Sequence, residues 1–218
     1  MPGKIFDFDG PLFRFLNTLA NIVILSVLTL VCSVPLITFG PSMKALYACS
    51  LKMVRNEEGY VTKDFFRNFK TQFLRSSVLG IFFLLAAGFL AGGIYTFVMI
   101  GKAFPVIMIV AWGIAGFIVL CTMLWIFPMQ ARFVNPIKQT VKLSFWLAVT
   151  KFPQTMLMLL IWLFIPGCVL FISGNFIPLV FLAELGTAAY FSAEVYDSLF
   201  AELEEKIREG QNNHREEN

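Results

Sequence analysis

The chain has 218 residues, 58% of them hydrophobic and 14% charged, with a mean hydropathy of +0.76 and a net charge of +3. Soluble domains carry about 45–50% apolar residues, so this composition excludes a soluble globular domain and points to an all-α integral membrane bundle. The small positive charge, gathered beside apolar runs, reads as headgroup anchoring and excludes a nucleic-acid surface, while Cys32, Cys49, Cys121 and Cys168 have no CxxC spacing and exclude a disulfide framework or a thiolate metal site.

The segment Ile5-Phe6-Asp7-Phe8-Asp9-Gly10 mimics the first motif of haloacid-dehalogenase-type phosphatases. That reading fails, because Pro11 stands where those enzymes carry Thr and an apolar run follows at once, where they need a buried strand of a doubly wound sheet. The segment is read instead as interfacial, with Pro11 starting a helix and Phe13 and Phe15 at headgroup level. No cleavable signal is expected, since the first apolar run exceeds a signal-peptide core and lacks a small-x-small exit.

Five spans are expected: 16–38, 77–100, 106–127, 154–172 and 176–192. In the first, Asn17 and Asn21 are four residues apart and share a face, and Pro35 bends or ends the helix. Gly40-Pro41-Ser42 then starts an amphipathic helix with Met43, Leu46, Tyr47, Ser50, Leu51 and Val54 on its apolar face and Lys44, Lys52 and Arg55 elsewhere. After a break at Glu57-Glu58-Gly59, Phe65, Phe66, Phe69 and Phe73 share one arc and Lys63, Arg67 and Lys70 the other. Two short amphipathic helices are therefore expected to lie against the membrane or the base of the bundle. Their cations, with Lys138 and Lys142 further on, form a candidate docking surface for a partner.

The second span holds Gly88 and Gly92 as a GxxxG, a packing surface within the bundle or a contact for helix–helix self-association. Trp125 and Pro128 are read as the exit of the third span to the interface. The stretch 129–153 contains Arg132, Lys138, Lys142 and Lys151 and no acid, with Asn135 expected to cap a further amphipathic helix. The fifth span holds Glu184, the one acid within an apolar run, opposite a packing face of Gly186, Ala189 and Ala193. Together with Asn17 and Asn21 it is the candidate polar intramembrane group, because a carboxylate in hydrocarbon is costly unless protonated, paired or facing water. Residues 1–197 form one membrane domain and 198–218 an acidic tail; from Asp197 onward seven acids face three bases.

The first and third inter-span segments carry seven and four Lys or Arg against one and none in the second and fourth, which predicts cytoplasmic basic segments and C-terminus, with the N-terminus outside. No His pair, Gly-rich phosphate loop or activated nucleophile is present. No enzyme and no cofactor or metal site are expected.

The stretches PLITFGPSMKALY and KMVRNEEGYVTKDFFRNFK, with QARFVNPIKQT later, resemble the YesL-like family of small multi-pass bacterial membrane proteins. The resemblance spans about Phe6 to Phe200, is most specific from Pro35 to Phe69, and transfers no catalytic or binding residue. It implies genomic company with carbohydrate ABC importers and polysaccharide-degrading enzymes, and hence an accessory, non-enzymatic subunit docking on an importer permease or ATPase. The alternative is a self-contained small-solute transporter or channel using Glu184, Asn17 and Asn21.

Overall fold

The computed structural model describes residues 11–57, 59–100, 106–133, 135–172 and 185–201. Seven helices are bounded within them: α1 (Pro11–Ser33), α2 (Phe39–Val54), α3 (Val61–Lys70), α4 (Phe73–Ile100), α5 (Val106–Arg132), α6 (Ile137–Thr150) and α7 (Phe152–Ile172), and residues 185–201 form an eighth, α8. The bundle is all-helical, and no strand occurs among the described residues. Leu16–Ser33, Phe73–Gly93 and Val110–Arg132 are long and apolar enough to cross a membrane. The pair α6–α7, bent by 97°, adds a fourth crossing if it acts as one span. Of the five expected spans, the one over 176–192 begins outside the described residues, which hold only its helical end from 185.

Local chemistry sets the breaks. Pro35 is extended, and α1 ends two residues before it. A short 3-10 turn, Leu36–Thr38, follows, and the Thr38 hydroxyl donates to the Cys32 carbonyl at 2.5 Å, covering an acceptor at the helix end. α2 stops before the acidic pair, at Val54, and Asn56, two residues on, has a left-handed φ of 55°. The Asn56 amide reaches Met53 O and the Glu57 amide reaches Lys52 O, the paired bonds of a Schellman motif, with Asn in the place glycine usually takes. α6 begins after Pro136, and Asn135 makes no cap there: the N-cap position falls on Pro136, with no side-chain bond.

The principal correction concerns α2. Expected to lie amphipathic at the surface, it runs through the middle of the bundle, with every residue from Lys44 to Leu51 buried. It packs on α1, α3, α4 and α5. The face that its lysines suggested was polar is made of small residues, Ser42, Ala45, Ala48 and Cys49, which admit a neighbouring helix as readily as the Leu46–Tyr47 side does. All eight helices meet in one core around it, through Leu25, Leu46, Phe65, Leu79, Trp125, Leu147, Met158 and Tyr196, each 3% exposed or less.

Close backbone approaches hold the crossings. A Cβ on Gly40 would lie 1.9 Å from the Ser76 carbonyl oxygen, and one on Gly80 2.6 Å from the Gly40 nitrogen, so α2 and α4 cross backbone to backbone. Gly186 of α8 is equally tight on α1, 2.4 Å from Ser26 Oγ by the same construction, and its amide donates to that hydroxyl at 2.8 Å. Ala189 and Ala193 are fully buried beside it, as the small-residue arc predicts. The GxxxG behaves otherwise: nothing lies within 4 Å of a Cβ built on Gly88 or Gly92, so neither glycine packs within the described bundle.

Candidate functional site

The aromatic centre of the bundle is a polar knot. α5 continues through Pro128 to Arg132, and Trp125, expected at the interface, is fully buried. Pro128 has no amide hydrogen to offer the carbonyl four residues back, that of Leu124. The Tyr196 hydroxyl of α8 donates to that carbonyl instead. Tyr196 packs edge-on against Trp125 and Tyr47, with centroids 5.3 and 5.9 Å away. The Trp125 indole NH donates to Thr155 Oγ1 at 3.0 Å, and that hydroxyl lies 3.0 and 3.3 Å from the carbonyls of Lys151 and Ala148. Thr155 thereby joins α5 to the sharp turn between α6 and α7.

The expected docking cations separate into three groups. Lys44 is the clearest departure: it is 3% exposed, and its ammonium donates to the Thr71 carbonyl at the end of α3. A long aliphatic stem lets the residue lie in the core while its nitrogen finds a backbone acceptor. Burial lowers its pKa from 10.5 to about 8. Lys52 and Arg55 are taken up by acids, Lys52 by Asp64 at 3.1 Å and Arg55 by Asp197, to which its Nε and Nη2 both donate at 2.5 Å. Arg67 also contacts Asp64, at 2.5 Å, but stays largely exposed. Lys63, Lys70, Lys138 and Lys142 are exposed, and no acid pairs with them among the described residues.

Of the candidate polar intramembrane groups, Glu184 lies outside the described residues. Asn17 and Asn21 line a hollow of about 650 Å³ between α1 and the segment 59–66. Across it stand Thr62 and Lys63, where α3 begins with no side-chain cap. The start of α1 therefore lies on the same side as basic α3, not on the opposite side as the charge pattern predicts, because α2 runs back through the bundle. A larger, apolar groove of about 1010 Å³ lies between the outer halves of α4 and α5, beside Gly92, Trp112 and Gly113.

Burial first, and the Asp64 carboxylate second, push the Cys49 thiol up to about 12, so it stays protonated and unreactive. No group of three or more His, Cys, Asp and Glu side chains able to hold a metal converges among the described residues. Two relationships are not local in sequence. A proline inside an apolar helix announces an orphan carbonyl without naming Tyr196 as its donor, and Asp197, which opens the acidic tail, is the partner of Arg55.

No curated protein and no solved structure matches the chain. Residues 19–93, which run from within α1 to within α4 and include the buried helix α2, match the family model described as Protein of unknown function, DUF624, a family of uncharacterised proteins with which the YesL-like resemblance is consistent.

Proposed function

We propose that this membrane protein is a non-enzymatic accessory subunit that docks on a carbohydrate ABC importer in a bacterial cell membrane, with its basic segments on the cytoplasmic side. The observation that carries the docking is the presentation of Arg67 and Lys70 on α3 and of Lys138 and Lys142 on α6, all exposed. Both helices are pinned by their other faces, α3 through Phe65 and α6 through Leu147 and Ala148. Cations on immobilised short helices are preorganised for an acidic partner surface, which favours association rate and specificity. The importer itself is supported by the YesL-like resemblance.

An affinity-tagged copy, purified in mild detergent from cells with the neighbouring operon intact, should carry importer subunits with it. The variant K138E/K142E should lose them while keeping its elution volume and helicity. A monodisperse wild-type protein that brings down no importer subunit sinks the proposal.

A further inference from the structure

The hollow between α1 and α3 combines depth, charge and shape in a way that identifies a ligand class. Its volume, about 650 Å³, is within the roughly 300–1,000 Å³ of small-molecule sites. The membrane-crossing part of α1 begins at Leu16, so Asn17 and Asn21 occupy its first two turns. At about 1.5 Å of rise per residue Asn21 is only about 6 Å further along the helix than Asn17, within the thickness of a headgroup layer. The opening therefore lies at the edge of the apolar run, within reach of a headgroup phosphate.

Among the described residues no acid offsets the charge there. Asp64, the acid next to Lys63 in sequence, has both oxygens engaged, Oδ2 by Lys52 at 3.1 Å and Oδ1 by Arg67 at 2.5 Å. Lys63 lines the hollow as an exposed cation. Thr62 adds a hydroxyl, and Asn17 and Asn21 add primary amides from the opposite wall. Tyr60, 86% exposed, and Phe66, 41% exposed, frame the same hollow. Aromatic side chains of this kind settle at the boundary between headgroups and hydrocarbon.

We infer that this hollow is a binding site for the phosphate headgroup of an anionic phospholipid. Lys63 pairs with the phosphate, the Asn17 amide and the Thr62 hydroxyl donate to its oxygens or to the glycerol, and Phe66 lies along the first acyl carbons. A zwitterionic lipid brings its own cation to the phosphate and makes less use of Lys63.

The test is native mass spectrometry of the full chain in detergent, with phosphatidylglycerol or phosphatidylcholine added at equal concentration. Wild-type protein should retain phosphatidylglycerol over phosphatidylcholine, and K63Q should lower that retention about fivefold, the effect of one interfacial lysine. The variant N17L/N21L should lower it as well, and K138Q, on the exposed face of α6, should leave it unchanged. K63Q alters an exposed side chain and keeps the test decisive if the double variant does not fold. Equal retention of the two lipids, or equal losses in K63Q and K138Q, overturns the site in favour of diffuse attraction. Displacement of phosphatidylglycerol by millimolar inorganic phosphate, absent in K63Q, overturns the lipid assignment in favour of free phosphate.

Discussion

The Tyr196 hydroxyl donates to the carbonyl of Leu124, the acceptor that Pro128 leaves without a helical donor. The bond joins α8 to the middle of α5 and lets a proline sit inside a fully packed helix. Y196F should destabilise the bundle by about 1–2 kcal/mol, because it strands a buried carbonyl. In a P128A background the new amide at position 128 can serve Leu124 itself, so the same substitution should cost less there. Unfolding of the four proteins of this cycle in detergent, followed by far-UV circular dichroism, checks the coupling. Equal losses in both backgrounds would show that the hydroxyl and the proline are energetically independent.

The crossing of α2 and α4 makes a second demand. Gly40 and Gly80 approach through backbone atoms, at 1.9 Å and 2.6 Å for added Cβ atoms, and backbone cannot rotate away as a side chain can. G40A and G80A should each lower stability by about 1–3 kcal/mol, the usual range for overpacking. G88A and G92A meet open space and serve as controls, with changes under about 0.5 kcal/mol expected. Thermal melts of the detergent-solubilised variants distinguish the two pairs. Comparable melts for G80A and G88A are incompatible with the crossing.

Arg55 and Asp197 tie the C-cap of α2 to the C-terminal part of α8. The side chains are 20% and 27% exposed, so the pair is neither fully screened nor fully desolvated. A double-mutant cycle over R55Q and D197N should return a coupling on the order of 1 kcal/mol, falling in high salt. Phe200 is buried one turn beyond, against Tyr196 and Phe133. Loosening the pair should therefore also hasten limited proteolysis after residue 197. An unchanged cleavage rate in D197N would leave the anchoring of α8 to its aromatic contacts and to the Gly186–Ser26 and Tyr196–Leu124 hydrogen bonds.

The long apolar runs were legible because a membrane-crossing helix needs only length and apolarity, and Pro35 marked the end of the first one. The buried position of α2 was not legible, because Lys44 sits at a helical spacing that reads as a solvent face. Its true signal is the small-residue series Ser42, Ala45 and Cys49, a side on which backbones approach. Contacts far apart in sequence were the hardest to anticipate. Pro128 predicts that Leu124 needs a donor, but nothing local says that the donor lies 72 residues later. For the same reason Asn17 and Asn21 were legible as a shared polar face of α1, while the lysine opposite them becomes their neighbour only through the turn at Asn56.

Lys44 gives the fold a pH dependence whose sign follows from its burial. In the unfolded chain the ammonium keeps its proton up to the ordinary 10.5, whereas in the folded protein it loses it at about 8. Between those values the unfolded state binds more protons, so stability rises with pH, and below about 8 the full cost of a buried charge is present. Cys49 works in the opposite sense: its thiol titrates at about 12 when folded and at 9.0 when not, so it removes stability as the pH rises through 9, beginning about one unit below. The window from pH 7 to 8 therefore isolates the lysine. The unfolding midpoint of the wild type should climb across that window with a slope that reaches about half a proton at its upper end. K44M, which keeps an unbranched stem and drops the charge, should flatten the climb. Parallel profiles for the two proteins would mean that the Lys44 ammonium stays solvated and does not lie within the core.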